Sequence, residues 1–124
     1  MTDTIVFLDH GSLAPGTVLR PPAFAHQWID HDETKPGEVA ARIKDATIVV
    51  SNKIKVGAAE MDAAPGLKLI AVCATGTDII DLAAAKERGI TVCNVRGYAE
   101  HSVPEHAFGL ILTLRRQIIG YLAD

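Results

Sequence analysis

Four short polar segments of this sequence have the composition of ligand-binding loops, and each follows an apolar run. They span residues 9–12, 51–53, 74–78 and 94–98, and they contain glycine, hydroxyl, amide and charged side chains. In an open parallel sheet, small ligands bind beyond the carboxyl ends of the strands. The sequence therefore predicts binding chemistry in these segments, provided that the apolar runs before them form such a sheet.

Segment 74–78 carries the most specific expectation. Gly76 allows a ligand to approach the backbone closely and to meet its N–H groups. The helix that follows would add positive potential at its N-terminus, and Lys53 on the neighbouring loop could add a charge-assisted contact. We therefore predict a site for a small anion such as a carboxylate. The alternative is that Gly76 only makes a strand-to-helix turn.

Signatures of several other chemistries are absent from the sequence. No apolar run is followed by Gly-x-Gly-x-x-Gly and there is no P-loop, so the chain lacks a nucleotide fingerprint of its own. The five histidines show no metal-ligand spacing, and we predict no metal site. The net charge of -3 and the absence of a basic run give no indication of nucleic-acid binding. Asp9 and Asp78 are expected to brace their loops.

Hydrophobic patterning predicts the elements that position these loops. Residues 5–8, 47–50, 69–73 and 90–93 are rich in β-branched residues and typical of strands covered on both faces, and a weaker strand is expected near 26–29. Helices are predicted over 36–44, 57–64 and 81–88, the last with Asp81 as N-cap and Gly89 as a left-handed stop. This alternation predicts an α/β fold, a flavodoxin-like parallel sheet with helices on both faces, ending in a long apolar helix.

The last predicted helix begins at a capping box formed by Ser102 and Glu105 and runs to about Ile119. Residues 107–114 are apolar nearly all the way round, so the helix should be buried on more than one side. Because one small sheet covers only one side, we expect a second domain or a second copy of the chain to cover the rest. A homo-oligomer formed through this helix is therefore predicted.

The location of the protein is predicted from its cysteines and its N-terminus. Cys73 and Cys93 lie in apolar runs and are expected to be buried free thiols. The chain begins without the basic start and apolar stretch of a signal peptide, and no run is long enough to span a bilayer. A cytoplasmic protein without a membrane partner is the resulting expectation.

An ordered series of motifs resembles the D-isomer-specific 2-hydroxyacid dehydrogenases. It comprises LKLI at 67–70, ATGTDIIDLAAAKERGI at 74–90, VCNV at 92–95, GY at 97–98 and SVPEH at 102–106. The opening IVFLD at 5–9, with RIKDA at 42–46 and SNK at 51–53, is similar to the glycerate dehydrogenase or hydroxypyruvate reductase branch. The resemblance covers nearly the whole chain and is weakest over residues 11–34.

The resemblance implies a two-domain enzyme, with a Rossmann domain for NAD or NADP inserted into a flavodoxin-like substrate domain. Residues 1–101 would be an incomplete substrate-binding domain, and residues 102–124 would lead toward an absent Rossmann domain. The substrate carboxylate would be held by Ser51, Asn52, Lys53, Ala74, Thr75 and Gly76. Val103 and Pro104 would lie near the nicotinamide, although Pro104 stands where the family often has alanine.

The family's catalytic arginine, glutamate and histidine have no counterpart here, so no catalytic residue is assigned to this chain. The resemblance implies an oxidoreductase that interconverts a 2-keto acid, hydroxypyruvate or glyoxylate, and a D-2-hydroxy acid with NAD(P)H. The chain alone is expected to be inactive and not to bind the cofactor tightly. One alternative is a non-catalytic module for small-anion binding or dimerisation. A phosphoacceptor receiver domain is disfavoured, because Ser51 and Asn94 stand where it needs an acidic residue and a lysine.

Overall fold

A computed structural model describes residues 2–122 and contains one parallel sheet with the strand order β2-β1-β3-β4-β5. The strands are β1 Asp3–Phe7, β2 His26–Asp30, β3 Ile48–Ser51, β4 Leu69–Val72 and β5 Thr91–Asn94. This is the flavodoxin-like order, and every pairing is parallel. The predicted strands are confirmed, including the weak one near residues 26–29, which lies at the edge of the sheet.

Three short helices follow the strands: α1 Val39–Ile43, α2 Ala58–Asp62 and α3 Leu82–Glu87. The predicted helix over residues 36–44 is divided, because Pro36–Glu38 forms a 3-10 turn before α1. Both predicted ends of α3 are confirmed. The Asp81 side chain accepts a hydrogen bond of 2.9 Å from the Ala84 N–H, and Gly89 has a φ of 67°.

The main core lies between the sheet and these helices, on one face of the sheet. Val6, Val49 and Ile70 stand in register on neighbouring strands, and they share one buried cluster with Ile43 of α1 and Ala85 of α3. Helices α1, α2 and α3 all contribute to this cluster, so they pack on this face of the sheet.

The opposite face of the sheet is covered unevenly by the part of the chain that the structure describes. Phe7 is fully buried beneath the His10 ring, which stacks on it with a centroid distance of 5.4 Å, and beside Trp28 at 6.4 Å. On the neighbouring strands, Val50 is half-buried and Cys93 is exposed. Only Ile5 and Phe7 of β1 are buried on this face, and Leu19 and Pro21 of the loop after residue 12 line a pocket beside Trp28.

The last helix, α4 Ser102–Arg115, differs from the predicted helix at both ends. His101 is its N-cap and no side chain caps it, so the capping box predicted at Ser102 and Glu105 is wrong. The Val103 N–H already donates to the Ala99 carbonyl, which puts Ser102 inside the helical turn instead of at its start. The helix ends before Ile119, because Gln117 adopts a left-handed φ of 50° and a separate turn, α5 Ile118–Tyr121, follows.

None of the residues of α4 is buried within residues 2–122. Phe108 is 65% exposed and Leu114 is 75% exposed, so the predicted burial of this helix is not provided by the described part of the chain. No helix in residues 2–122 has both the length and the apolar character that crossing a bilayer requires. Residues 1, 123 and 124 lie outside the described residues. They belong to the two units predicted from the sequence, 1–101 and 102–124.

Candidate functional site

The polar loops predicted to bind ligands meet at one end of the sheet, where the parallel strands have their carboxyl ends. Ser51 of β3 pairs with Val72 of β4, and Val72 pairs with Asn94 of β5, so these strands end side by side. Two backbone hydrogen bonds continue the pairing into the loops: Cys73 N–H to the Ser51 carbonyl at 2.9 Å and Val95 N–H to the Ala74 carbonyl at 3.1 Å. The structure therefore brings loops 51–53, 74–78 and 94–98 together.

Loop 51–53 is held by a carboxylate from the protein itself. Asp9 is only 3% exposed, and its two oxygens accept hydrogen bonds from the Asn52 N–H at 2.9 Å and the Lys53 N–H at 2.6 Å. The Ser12 hydroxyl donates to the same carboxylate at 3.2 Å. The prediction that Asp9 braces a loop is confirmed, and both backbone donors are already used.

The side chains of loop 51–53 are also mostly engaged internally. The Ser51 hydroxyl belongs to a fully buried residue, donates to the Ile54 carbonyl at 2.9 Å and accepts from the Ile54 N–H at 3.1 Å. The Asn52 amide donates to the Ser12 hydroxyl at 2.9 Å. Lys53 is exposed, so it is the group of this loop that remains available to a ligand. The ligand roles of all three residues stay predictions.

In loop 74–78, in contrast, the backbone donors are unused. Within residues 2–122, the backbone N–H groups of residues 74–78 donate no hydrogen bond. The loop is nevertheless fixed, because the Asn94 amide donates to the Thr75 carbonyl at 2.7 Å and the Ile80 N–H donates to the Thr77 carbonyl at 2.9 Å. A run of consecutive, unused N–H groups in a fixed and exposed loop is suited to an anionic ligand.

Gly76 and the start of the following helix are separated by several residues, as the predicted span 81–88 implied. Helix α3 begins only at Leu82, and its first turn is capped by Asp81. The residues between are held extended, because the Val56 N–H donates to the Ile79 carbonyl at 2.9 Å and the Asp81 N–H donates to the Val56 carbonyl at 3.2 Å. The backbone donors of the loop therefore act without help from a helix.

The backbone conformation at Gly76 does not require glycine. Its φ is not positive, so the turn itself accepts other residues. A Cβ atom there would lie 2.9 Å from Oδ1 of Asp78. Gly76 thus leaves room for an acidic side chain directly beside the free N–H groups.

Loops 74–78 and 94–98 enclose an open cleft of about 430 Å³. Its lining residues are Thr75, Thr77, Asn94, Val95, Arg96 and Gly97. Arg96 is the one formally charged residue among them. Sequence reasoning recognised the loop but gave Arg96 no role. The sequence did contain a signal, because Arg96 follows β5, and β5 pairs with the strand that precedes loop 74–78.

The two cysteines occupy different environments near this edge. Cys73 is half-buried directly after β4, and burial, followed by the charge of Asp9, raises the pKa of its thiol. Cys93 is exposed, so the prediction of a buried thiol there is wrong. Its strand β5 lies at the edge of the sheet, and Cys93 points to the face away from the core, opposite Ala71.

Two motifs of cofactor and metal binding are missing from residues 2–122. These residues contain no glycine-rich turn of the dinucleotide type, and no three His, Cys, Asp or Glu side chains are grouped to hold a metal. Val103 is 63% exposed in the first turn of α4, and neither it nor Pro104 lines the cleft. The nicotinamide contact of these two residues stays a prediction.

Comparison with known proteins supports one family throughout the chain. Residues 19–118 match the family described as D-isomer specific 2-hydroxyacid dehydrogenase, catalytic domain. The glycerate dehydrogenase of Methylorubrum extorquens is 46% identical over 122 residues, covering 98% of this chain and 38% of that protein. A putative 2-hydroxyacid dehydrogenase of Haemophilus influenzae is 42% identical over 120 residues, covering 97% of this chain and 38% of that protein.

A solved structure shows the same fold. The NADPH-dependent glyoxylate/hydroxypyruvate reductase of Sinorhizobium meliloti, in complex with NADP and malonate, superposes with a TM-score of 0.72 and 25% identity. That alignment covers 99% of this chain and 38% of the reductase. The chain thus spans less than two fifths of the length of these relatives. By the match of most of its length, the chain belongs to the D-isomer specific 2-hydroxyacid dehydrogenase family.

Proposed function

We propose that this chain binds the carboxylate of a small 2-keto acid, hydroxypyruvate or glyoxylate, as part of an NAD(P)H-dependent D-2-hydroxyacid dehydrogenase. The observation that carries the proposal is the run of unused backbone N–H groups at residues 74–78, at the carboxyl edge of the sheet. The activities of the similar proteins, a glycerate dehydrogenase and a glyoxylate/hydroxypyruvate reductase, support this substrate class.

Binding of this kind would orient the substrate. Backbone donors near Thr75 and Gly76 would hold the carboxylate and thereby fix the direction of the adjacent keto group, which is the group to be reduced. NAD(P)H, when bound by the complete enzyme, supplies the hydride. The chain contributes one wall of the cleft, and the groups that polarise the carbonyl belong to a part of the enzyme other than residues 2–122.

The division of labour that we propose follows the predicted boundary at residue 101. Residues 1–101 would form the substrate-binding unit, and residues 102–124 would lead toward the coenzyme domain. The exposed apolar side chains of α4, such as Phe108 and Leu114, also favour self-association of this chain. We expect light scattering after size-exclusion chromatography to show a dimer or larger species, and a strict monomer would contradict this part of the proposal.

Amide chemical shifts provide a direct test of the carboxylate site. We expect glyoxylate to shift the ¹H–¹⁵N signals of Thr75, Gly76 and Thr77 saturably, whereas those of Asn52 and Lys53 stay fixed because Asp9 occupies them. Acetamide, which is neutral and of similar size, is the matched control and should cause no saturable shift. Absence of a saturable response at residues 74–78, or an equal response to acetamide, would overturn the proposed site.

Activity measurements test the second half of the proposal. This chain should show no NADH oxidation that depends on hydroxypyruvate, since it contributes only substrate recognition. Turnover clearly above the background without protein would contradict the proposed division of labour. A non-catalytic binding or dimerisation module is the second candidate. It would be favoured if a longer form of the protein that included a coenzyme domain bound glyoxylate but failed to reduce it.

A further inference from the structure

We infer that Arg96 is a specificity-determining residue that selects carboxylates for the cleft between loops 74–78 and 94–98. The inference rests on the proposed function and names the charged group that the sequence had assigned to Lys53. Arg96 is the one formally charged residue lining the cleft, and Lys53 does not line it. Within residues 2–122, the Arg96 side chain takes part in no hydrogen bond or ion pair.

The negative charge of Asp78 in loop 74–78 would weaken carboxylate binding unless a cation were nearby. Asp78 places a carboxylate oxygen 2.9 Å from the position of a Cβ at Gly76, beside the free N–H groups. An incoming carboxylate therefore meets a like charge at the loop that should bind it. Backbone donors carry only partial charges, and helix α3 adds none there because Asp81 caps it. A full positive charge in the same cleft offsets the repulsion.

The backbone on either side of Arg96 is held against loop 74–78. Before it, the Val95 N–H donates to the Ala74 carbonyl at 3.1 Å and the Asn94 amide donates to the Thr75 carbonyl at 2.7 Å. After it, Gly97 turns the chain with a φ of 73°. The cation is thus anchored next to the loop whose N–H groups are free, although its side chain is exposed. A planar guanidinium can bind both oxygens of a carboxylate at once. A neutral carbonyl compound lacks the second oxygen and the negative charge, so it gains less from this side chain.

The test compares Arg96 with Lys53, the exposed cation of loop 51–53. Glyoxylate is titrated into the wild type, Arg96→Gln, Arg96→Lys and Lys53→Gln, and affinity is read from the amide signals of residues 75–77. We expect Arg96→Gln to weaken binding about tenfold and Arg96→Lys about threefold, as suits an exposed charge-assisted bond. Lys53→Gln should weaken binding less than about twofold, because that side chain lies outside the cleft.

The possible outcomes separate this inference from the proposed function. If the wild type binds glyoxylate and Arg96→Gln binds it equally well, or if Lys53→Gln loses more, the role of Arg96 is overturned while the carboxylate site stands. If the wild type shows no saturable response at residues 75–77, both fail together. Amide spectra of the unliganded variants that overlay on the wild type outside residues 94–98 establish that a lost affinity is not a lost fold.

Discussion

The backbone donors of loops 51–53 and 74–78, which lie at the same end of the sheet, differ in whether the protein itself uses them. In loop 51–53, the N–H groups of Asn52 and Lys53 are bound by the buried carboxylate of Asp9. In loop 74–78, the N–H groups are free within residues 2–122, and Thr75 and Thr77 of this loop line an open cleft. In a sheet of this order, ligands are expected between β1 and β3, where the topology switches. Here the protein's own carboxylate fills that position, and the free donors lie one strand further on.

Each loop also has its own acidic side chain, and the two acids differ in what they contact. Asp9 is buried and accepts three hydrogen bonds from Ser12, Asn52 and Lys53. Asp78 is exposed and, within residues 2–122, accepts none. A carboxylate stabilises a loop when it satisfies buried donors, and an exposed one leaves the donors beside it available.

Removal of the internal carboxylate should be the most damaging change. Asp9→Ala leaves the N–H groups of Asn52 and Lys53 without their acceptor in a part-buried loop. Since an unsatisfied buried donor costs about 1–3 kcal/mol, we expect the free energy of unfolding to fall by about 3 kcal/mol. Urea denaturation followed by circular dichroism measures this change.

The matched control for this variant is the other acid. Asp78→Ala should change the free energy of unfolding by less than about 0.5 kcal/mol, because it removes no hydrogen bond within residues 2–122. Equal losses in the two alanine variants would remove the contrast between the loops.

An added anion should partly replace the missing side chain of Asp9. Formate has the size of the lost carboxylate, and Asp9→Ala vacates the two N–H groups that would bind it. At ten times its dissociation constant, formate should stabilise Asp9→Ala by about 1.4 kcal/mol. Denaturation in formate and in chloride of equal ionic strength gives the difference. The wild type, whose position is filled, should show none, and a rescue of equal size in both proteins would argue against a vacated site.

The features that could be predicted from the sequence are those that depend only on residues close together in the chain. The strands, the Asp81 cap and the Gly89 stop were found because each depends on a few adjacent residues. The pairing of Asp9 with Asn52 and Lys53 joins positions more than forty residues apart, and no local pattern contains it. Sequence reasoning therefore expected a bracing role for Asp9 but could not tell that it uses the donors of loop 51–53.

The misplaced features of the helices have a similar cause. A serine followed by a glutamate three residues later has the sequence of a capping box, but the preceding turn at Ala99 determines that the helix starts earlier. The extended stretch between Gly76 and α3 was not predicted, because it depends on the pairing of Val56 with Ile80, which are distant in the sequence. Arg96 was overlooked because its importance depends on which residues line the cleft.

Ser51 and Thr75 distinguish the roles of hydroxyl groups in the two loops. Ser51→Ala removes a buried hydroxyl that donates to the Ile54 carbonyl and accepts from the Ile54 N–H, so the free energy of unfolding should fall by about 1 kcal/mol. Thr75→Ala alters an exposed side chain and should change it by less than about 0.5 kcal/mol. In glyoxylate titrations, Ser51→Ala should keep its affinity. A tenfold loss would instead make Ser51 a ligand.

The smallest effect that we expect is electrostatic and is measured at Cys73, which follows the strand between the two loops. Burial, and to a lesser extent the charge of Asp9, raises the pKa of the Cys73 thiol. A raised pKa lowers the fraction of reactive thiolate at a pH below it, so Cys73 should react slowly with iodoacetamide. Asp9→Asn removes the charge and keeps the shape, which lowers the pKa and should increase the alkylation rate about twofold near pH 8.

This measurement is made with Cys93→Ser, so that Cys73 is the single thiol, and mass spectrometry follows the modified fraction. Asp78→Asn is the matched control, because the charge of Asp78 is not among the causes of the shift at Cys73. In urea the variants should react at equal rates, since unfolding removes the difference in environment. A rate that is unchanged by Asp9→Asn, or increased as much by Asp78→Asn, would mean that the charge of Asp9 is balanced within its loop and does not reach the neighbouring strand.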